Sequence, residues 1–437
     1  MKIEKILLKT LLLSLIGILL ITPTLLGKEP QNQIINLSSS YDWVSIWSRF
    51  DDRDDMAIDV GIDDNDNIIF GGISSNTTMD LFITKFDEFG NQLWNATLNG
   101  GSQDWFRALA VNGTEIYVAN DYYNPSLFRS EFMLIKYDNG GNYLWNKTWF
   151  KEDATGCYVQ DMVLSQSGNF YVTGEMAYGS NYKYFLLKLD ANGNEVWNVT
   201  FGQKNTVRKI VFGISSFEDL IYIVGQFFNQ ATGENEPLIL SLNAITSLQL
   251  WNKTWSFPSY YGGQASDVVV DDFGNIYVTG YYGVFSNRLL FVRKYNPFGS
   301  VVWSKNFQYM ASIAQGITLE DNTNIYIAGS KEGDYPESSA LLINYDCNGT
   351  LLGFGTWEGS ISGNNVGKDV IANENGNVYM VGYTPGVTMN DAFIIKNLEL
   401  ELPRDNEAIS GFELISFGIV LFSIIIIQLF GMKKHFQ

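Results

Sequence analysis

Tryptophan recurs at positions 43, 94, 145, 197, 251 and 303, at intervals of 51, 51, 52, 54 and 52 residues. Gly353 continues the series 50 residues later without the indole. A fixed period of about 50 residues marks a repeat architecture, in which one supersecondary unit is copied and each copy buries its neighbour's apolar face. Such a period constrains the shape of the chain far more tightly than its chemistry.

Each period carries two further runs. One reads Asn169-Phe-Tyr-Val-Thr-Gly, Asn275-Ile-Tyr-Val-Thr-Gly or Asn377-Val-Tyr-Met-Val-Gly. The other reads Phe132-Met-Leu-Ile-Lys-Tyr-Asp138, Tyr184-Phe-Leu-Leu-Lys-Leu-Asp190 or Leu290-Phe-Val-Arg-Lys-Tyr-Asn296. Both are short, β-branched and aromatic, and bounded by Asn, Asp and Gly, which is the signature of strands between tight turns. With a short strand ahead of the first turn (Val268-Val-Val270) and the tryptophan strand at the end, each unit predicts four antiparallel strands. That is one propeller blade.

Six units are complete, from residue 56 to about 360, and the last, from about Gly367 to Leu398, stops before its fourth strand. Trp43-Val-Ser-Ile-Trp47 has the spacing of Trp145-Asn-Lys-Thr-Trp149, so the missing strand stands at the opposite end of the chain. An open ring would leave two sheet edges in water. The sequence therefore predicts an all-β, seven-bladed propeller over residues 41–399, closed by pairing segment 41–50 with 392–398. Blade six departs from the pattern, with Gly353 at the tryptophan position and Asn344 in place of Lys; Trp357 is expected to fill the gap.

The string Asp-x-x-Gly-Asn-Ile-Tyr-Val-Thr-Gly, then Lys-Tyr-Asp, then Asn-Gly-x-x-x-Trp resembles the seven-bladed β-propeller repeats known as SBBP repeats. The resemblance covers residues 41 to about 398 and is strongest over 266–305. It implies a secreted or surface propeller and assigns no activity.

Two apolar segments bracket the repeats. Lys2, Lys5 and Lys9 precede Leu11–Gly27, so residues 1–27 read as a signal peptide or retained N-terminal anchor. Residues 28–40 and 400–413 read as linkers, 414–432 as a transmembrane helix and 433–437 as a cytoplasmic tail bearing Lys433 and Lys434. The expected placement is the cell membrane, single-pass with an extracellular ring, or two-pass if the first segment is retained. Sequons at Asn95, Asn146, Asn198 and Asn252 follow the tryptophan in register and fall on the outer strand, where a glycan has room. The formal charge of −19, from 28 Lys plus Arg against 47 Asp plus Glu, repels a phosphate backbone, so no nucleic-acid partner is expected. Cys157 and Cys347 fall in repeats far apart round the ring and are expected to be free, small and buried.

The single histidine, His435, lies in the tail. The repeats thus lack the residues for a Ser-His-Asp or Cys-His centre and for His-ligated zinc. No catalytic residue, cofactor site or metal site is assigned. Calcium at Asp63–Asn67 is the lesser reading beside a hairpin turn, because Ile68 stands where a calcium loop needs glycine. Residues expected on the ligand face are Asp51, Asp52, Asp54 and Asp55, on a loop entering the first blade, and the tyrosines Tyr122, Tyr123, Tyr260, Tyr261, Tyr281 and Tyr282. Exposed tyrosines suit glycan or protein contact. The expected function is a membrane-anchored, non-enzymatic binding or adhesion module for an extracellular glycan or protein. Alternatives are a propeller enzyme, quinone-dependent or cleaving glycans with carboxylates, and a cell-surface scaffold.

Overall fold

The computed structural model describes residues 40–48, 54–75, 78–98, 103–202, 209–257, 262–284, 287–332, 337–387 and 389–401. The proposed N-terminal signal and C-terminal membrane segments, with Asp51, Asp52, Tyr260 and Tyr261, lie outside these residues. Among the described residues no helix is long and apolar enough to cross a membrane.

Among the described residues, twenty-eight strands, β1 to β28 in chain order, form seven four-stranded antiparallel sheets. Six sheets are sequential meanders, and the seventh has the order β1-β28-β27-β26, so the first strand completes the last blade. β1 (Trp43–Trp47) runs antiparallel to β28 (Asn390–Lys396), with Trp43 opposite Lys396 and Ile46 opposite Phe393. The closure predicted from the incomplete last repeat is what forms. Trp47 secures it by stacking on Phe82 of the first blade, with ring centroids 4.0 Å apart.

Each repeat signal has a packing cause. In β9 (Tyr143–Trp149) and its equivalents, the tryptophan leans on the tyrosine of its own blade's second strand, as in Tyr117–Trp145 and Tyr277–Trp303, with centroids 6.3 and 6.1 Å apart. The third-strand lysine covers the same ring, with Lys136 Nζ 5.1 Å from Tyr117 and Lys294 Nζ 4.8 Å from Tyr277, a cation–π contact. The indole also reaches the next blade. Trp94 Nε1 donates to the Asn139 carbonyl at 2.9 Å, and its ring lies against Gly141, whose φ is +78°. A Cβ at Gly141 would fall 2.7 Å from that ring, so the Asn-Gly turn and the tryptophan of the preceding blade require one another. Trp197 meets a turn without glycine, at Asn243–Leu248, and its Nε1 has no partner among the described residues.

Blade six closes its gap differently from the sequence expectation. Trp357 sits at the end of β25 (Leu351–Trp357) and packs on Phe393, with centroids 4.6 Å apart. The space beside Gly353 is filled by Leu400, whose Cβ lies 2.9 Å from a Cβ built at that glycine. The chain leaving the last blade crosses back over blade six, and Phe354 and Glu401 exchange main-chain hydrogen bonds of 3.1 and 3.0 Å. Glycine stands where an indole would obstruct that path.

The meander gives the ring two unlike faces. Turns between strands one and two, and three and four, share one face. There Asp87, Asp138, Asp190 and Asp271 each accept main-chain N–H bonds from residues two and four positions on. Hairpins between strands two and three, and the links between blades, share the other. The first is called here the turn face, the second the loop face.

Candidate functional site

Every innermost strand carries one β-bulge at the same level, between Ala57 and Asp59, Phe106 and Ala108, Val159 and Asp161, Val211 and Gly213, Ala265 and Asp267, Ala314 and Gly316, and Gly367 and Asp369. A bulge re-aims side chains, and here it turns one residue per blade toward the ring axis. These strands line a cavity of about 580 Å³ that draws residues from all seven blades.

Just past the bulge stand four aspartates, Asp59, Asp161, Asp267 and Asp369, on blades one, three, five and seven. Each reaches forward to the next blade. Asp59 accepts the Leu109 N–H, Asp161 that of Ile214 at 2.8 Å, Asp267 that of Ile317 at 2.9 Å, and Asp369 that of Val60 at 3.2 Å. Asp59, Asp161 and Asp267 also accept the next amide along their own strand, each at 2.7 Å. The intervening blades carry Ala108, Gly213 and Gly316. A Cβ at Gly316 would lie 2.4 Å from the Asp369 carboxylate, so small residues alternate with aspartates because there is no room for both.

Alternation cannot close on an odd number, and the frustration falls at the seam where the chain ends meet. Asp369 and Asp59 are neighbours, both accept the single Val60 N–H, and they are hydrogen-bonded to each other. Two carboxylates in contact hold a proton between them. The aspartates are half-buried, and their exposed part faces the channel rather than bulk water, so loss of hydration dominates their titration. It raises all four, Asp267 to about 7, and the charges of Asp267 and Asp59 add to the effect at Asp161. Glycoside hydrolysis by paired acids needs about 5 Å or more between them, and the touching pair Asp59–Asp369 has neither geometry.

Blade two replaces the axial aspartate with another device. Its bulge residue is Arg107, which donates through Nε and Nη2 to Asp121 Oδ2 at 2.9 and 2.7 Å. Asp121 Oδ1 accepts the Val159 N–H of blade three at 2.6 Å, so this pair bridges the second and third blades. Burial lifts Asp121 to about 6 against the pull of the guanidinium. Beside it a smaller pocket on the loop face is lined by Gln103, Trp105, Tyr123, Ser130 and Tyr158. Asn120 stands where the other blades have glycine, fully buried and with neither amide atom partnered among the described residues.

The residues expected from sequence to form the ligand face divide. Tyr123 lines the smaller pocket, whereas Tyr122 packs against the core cluster of Ile69, Ile73 and Phe106; both stand at the end of β7 (Glu115–Asn124) rather than on a loop. Tyr281 lies under Arg288, 5.1 Å from its guanidinium carbon. Tyr282 is buried, stacked on Phe257 at 3.8 Å, and is a packing residue. Asp54 accepts two bonds of 3.0 Å from Asn390, tying the first blade to the last, and Asp55 is wholly buried. Both belong to β2 (Asp54–Ile62), so the acidic run does not form an open loop at these two positions. Asn95, Asn146 and Asn252 are exposed on outermost strands; Asn198 is half-buried and bonded to Glu195 and Lys151. Asp63 accepts from Asn65 and Asn67 within its turn and pairs with buried Lys85 at 2.6 Å. Among the described residues no group of three or more His, Cys, Asp or Glu is placed to hold one metal ion. Cys157 is free and buried; Cys347 is free but only half-buried.

The axial aspartates escaped the sequence reading, although a signal was present. Ala57-Ile-Asp59, Val159-Gln-Asp161, Ala265-Ser-Asp267 and Gly367-Lys-Asp369 recur in register at alternate repeats. A comparison of repeats by position would have found them.

No protein-family model matches this chain, and no curated protein matches it in sequence. Solved structures share the fold. A polysaccharide lyase, an ulvan lyase of family PL25, superposes with a TM-score of 0.51 at 9% identity, covering 82% of this chain and 96% of that one. Drosophila Plexin A, solved in complex with Semaphorin 1b, gives 0.47 at 7% identity, over 82% and 87%. The Dos1 propeller gives 0.46 at 10%, over 80% and 95%. At 9% identity the likeness to the ulvan lyase shows the propeller fold alone.

Proposed function

We propose that this chain is a non-enzymatic binding ring displayed outside the cell, tethered at its turn face and offering its loop face to a glycan or protein. The observation that carries this reading is where the ring releases its ends. β1 enters, and β28 leaves, at the turn face of the same blade, and Glu399 N donates to the Ser40 carbonyl at 2.7 Å. A ring held there by the apolar segments 11–27 and 414–432 directs the variable hairpins and the channel mouth away from the membrane. The resemblance to SBBP repeats and the exposed sequons Asn95, Asn146 and Asn252 support the same placement. The carboxylates at the axis are engaged in joining blades, which favours a binding ring over an enzyme.

The test uses the full-length protein on intact cells. Impermeant labelling should reach the ring. A bulky insertion at Ser126, in a loop-face hairpin, should abolish capture of arrayed glycans or surface proteins, whereas one at Phe298, on the turn face, should not. Equal loss from both insertions, or a ring inaccessible from outside, contradicts the proposal.

A further inference from the structure

Resting on that reading, and deepening it, we infer that the axial channel is a binding site for the neutral end-group of a saccharide. Three glutamines, Gln160, Gln264 and Gln315, from blades three, five and six, line the cavity half-buried and have no hydrogen-bond partner among the described residues. A side-chain amide offers two donors and one acceptor, so three of them facing one space match the alternating donors and acceptors of adjacent sugar hydroxyls. Ser215 and Thr318 add hydroxyls to the cavity lining.

The wall also supplies an apolar plane. Trp105 lines both the channel and the adjoining pocket, is 37% exposed, and is braced by Arg107, whose guanidinium carbon lies 5.4 Å from its ring centre. An indole on the wall of a cavity of mixed polar and apolar lining suits the C–H face of a pyranose. A cavity of about 580 Å³ falls in the range of sites that enclose small ligands.

Charge decides which sugar. Arg107 is neutralised by Asp121, leaving Lys368 as the one channel-lining cation without an ion-pair partner among the described residues, against four aspartates. The carboxylate charge that remains on the ring beyond the proton shared by Asp59 and Asp369 would repel the carboxylate of a uronate or sialate, so a neutral hexose or N-acetylhexosamine end is selected.

The test is an array of oligosaccharides ending in neutral hexoses, N-acetylhexosamines or uronates, probed with the full-length protein, followed by titration of the best neutral binder. Replacing the three glutamines by leucine keeps their volume while removing the amides, and should weaken binding by about tenfold or more with thermal unfolding unchanged. Trp105→Ala should weaken it as well, and the turn-face pair Phe89→Ala with Phe298→Ala should leave it intact. Uronate-ended sugars should bind about tenfold more weakly or not at all. Neutral-sugar binding that survives both the glutamine and the Trp105 changes overturns the channel site while leaving the binding ring standing. Absence of neutral-sugar binding, or preference for uronates, overturns it outright.

Discussion

The rim and the axis of this ring are built on opposite terms. At the rim, Trp94, Trp145, Trp251 and Trp303 repeat one contact, an indole over the glycine of the next blade's turn, and the outer strands of blades one to four share Trp-Asn-x-Thr. At the axis the backbone repeats, with a bulge in every inner strand, but the residue it presents changes from blade to blade: Ile58, Arg107, Gln160, Phe212, Ser266, Gln315 and Lys368. A scaffold that holds its own shape needs only the first kind of uniformity. Under the proposed binding role, the six kinds of side chain at these seven positions would distinguish ligands. On that proposal, uniform positions carry stability and variable positions carry recognition.

That division breaks if changes at the rim cost binding or changes at the axis cost only stability. The largest effect is expected from deleting residues 43–47. This removes the outer strand of the closing blade, exposes Phe82 where Trp47 stacks, and leaves an open sheet edge. Loss of cooperative unfolding, with aggregation on size-exclusion chromatography, is the expected result; a monomeric variant melting like the parent would refute closure. Trp94→Ala comes next. Truncating a buried tryptophan costs about 3–5 kcal/mol, and this half-buried indole should cost about 2 kcal/mol, read in chemical denaturation, with saccharide affinity unchanged.

The seam offers a third effect, set by pH. The axial aspartates have folded-state pKa values raised above the ordinary 3.8, to about 7 at Asp267. Between those limits the folded ring binds more protons than the unfolded chain, so its stability falls as pH rises. Melting temperature should therefore drop between pH 5 and pH 8. Asp369→Asn, which leaves Asp59 without a charged neighbour, should flatten that slope. A melting temperature that climbs over this interval would show that the pair is not sharing a proton. The smallest effect belongs to Asn120→Gly, which restores the repeat residue and removes an unpartnered buried amide. A gain of about 1 kcal/mol is expected, measured as a shift in denaturant midpoint.

The same division explains what could be read from sequence. Trp43, the incomplete repeat ending near Leu398 and the Asn-Gly turns were legible because local strand and turn chemistry repeats there. Closure followed from counting. The burial of Tyr282 under Phe257 and the engagement of Asp54 by Asn390 were not legible, since each depends on a contact with another segment rather than on its own neighbours. Gly353 looked like a defect until the returning chain at Leu400 was seen to occupy its place. The axial aspartates were hidden because the bulge that re-aims them has no residue signature of its own. The glutamines between them acquire meaning only when seven strands converge.

Hydrogen–deuterium exchange with and without the best-binding neutral saccharide tests the contrast between axis and rim most directly. Slowed exchange is expected in the inner strands Gly156–Leu164, Gly263–Val270 and Ser312–Glu320, and none in the outer strands Gln92–Leu98 and Gln249–Thr254. Protection confined to the outer strands, with the inner strands unchanged, would contradict it.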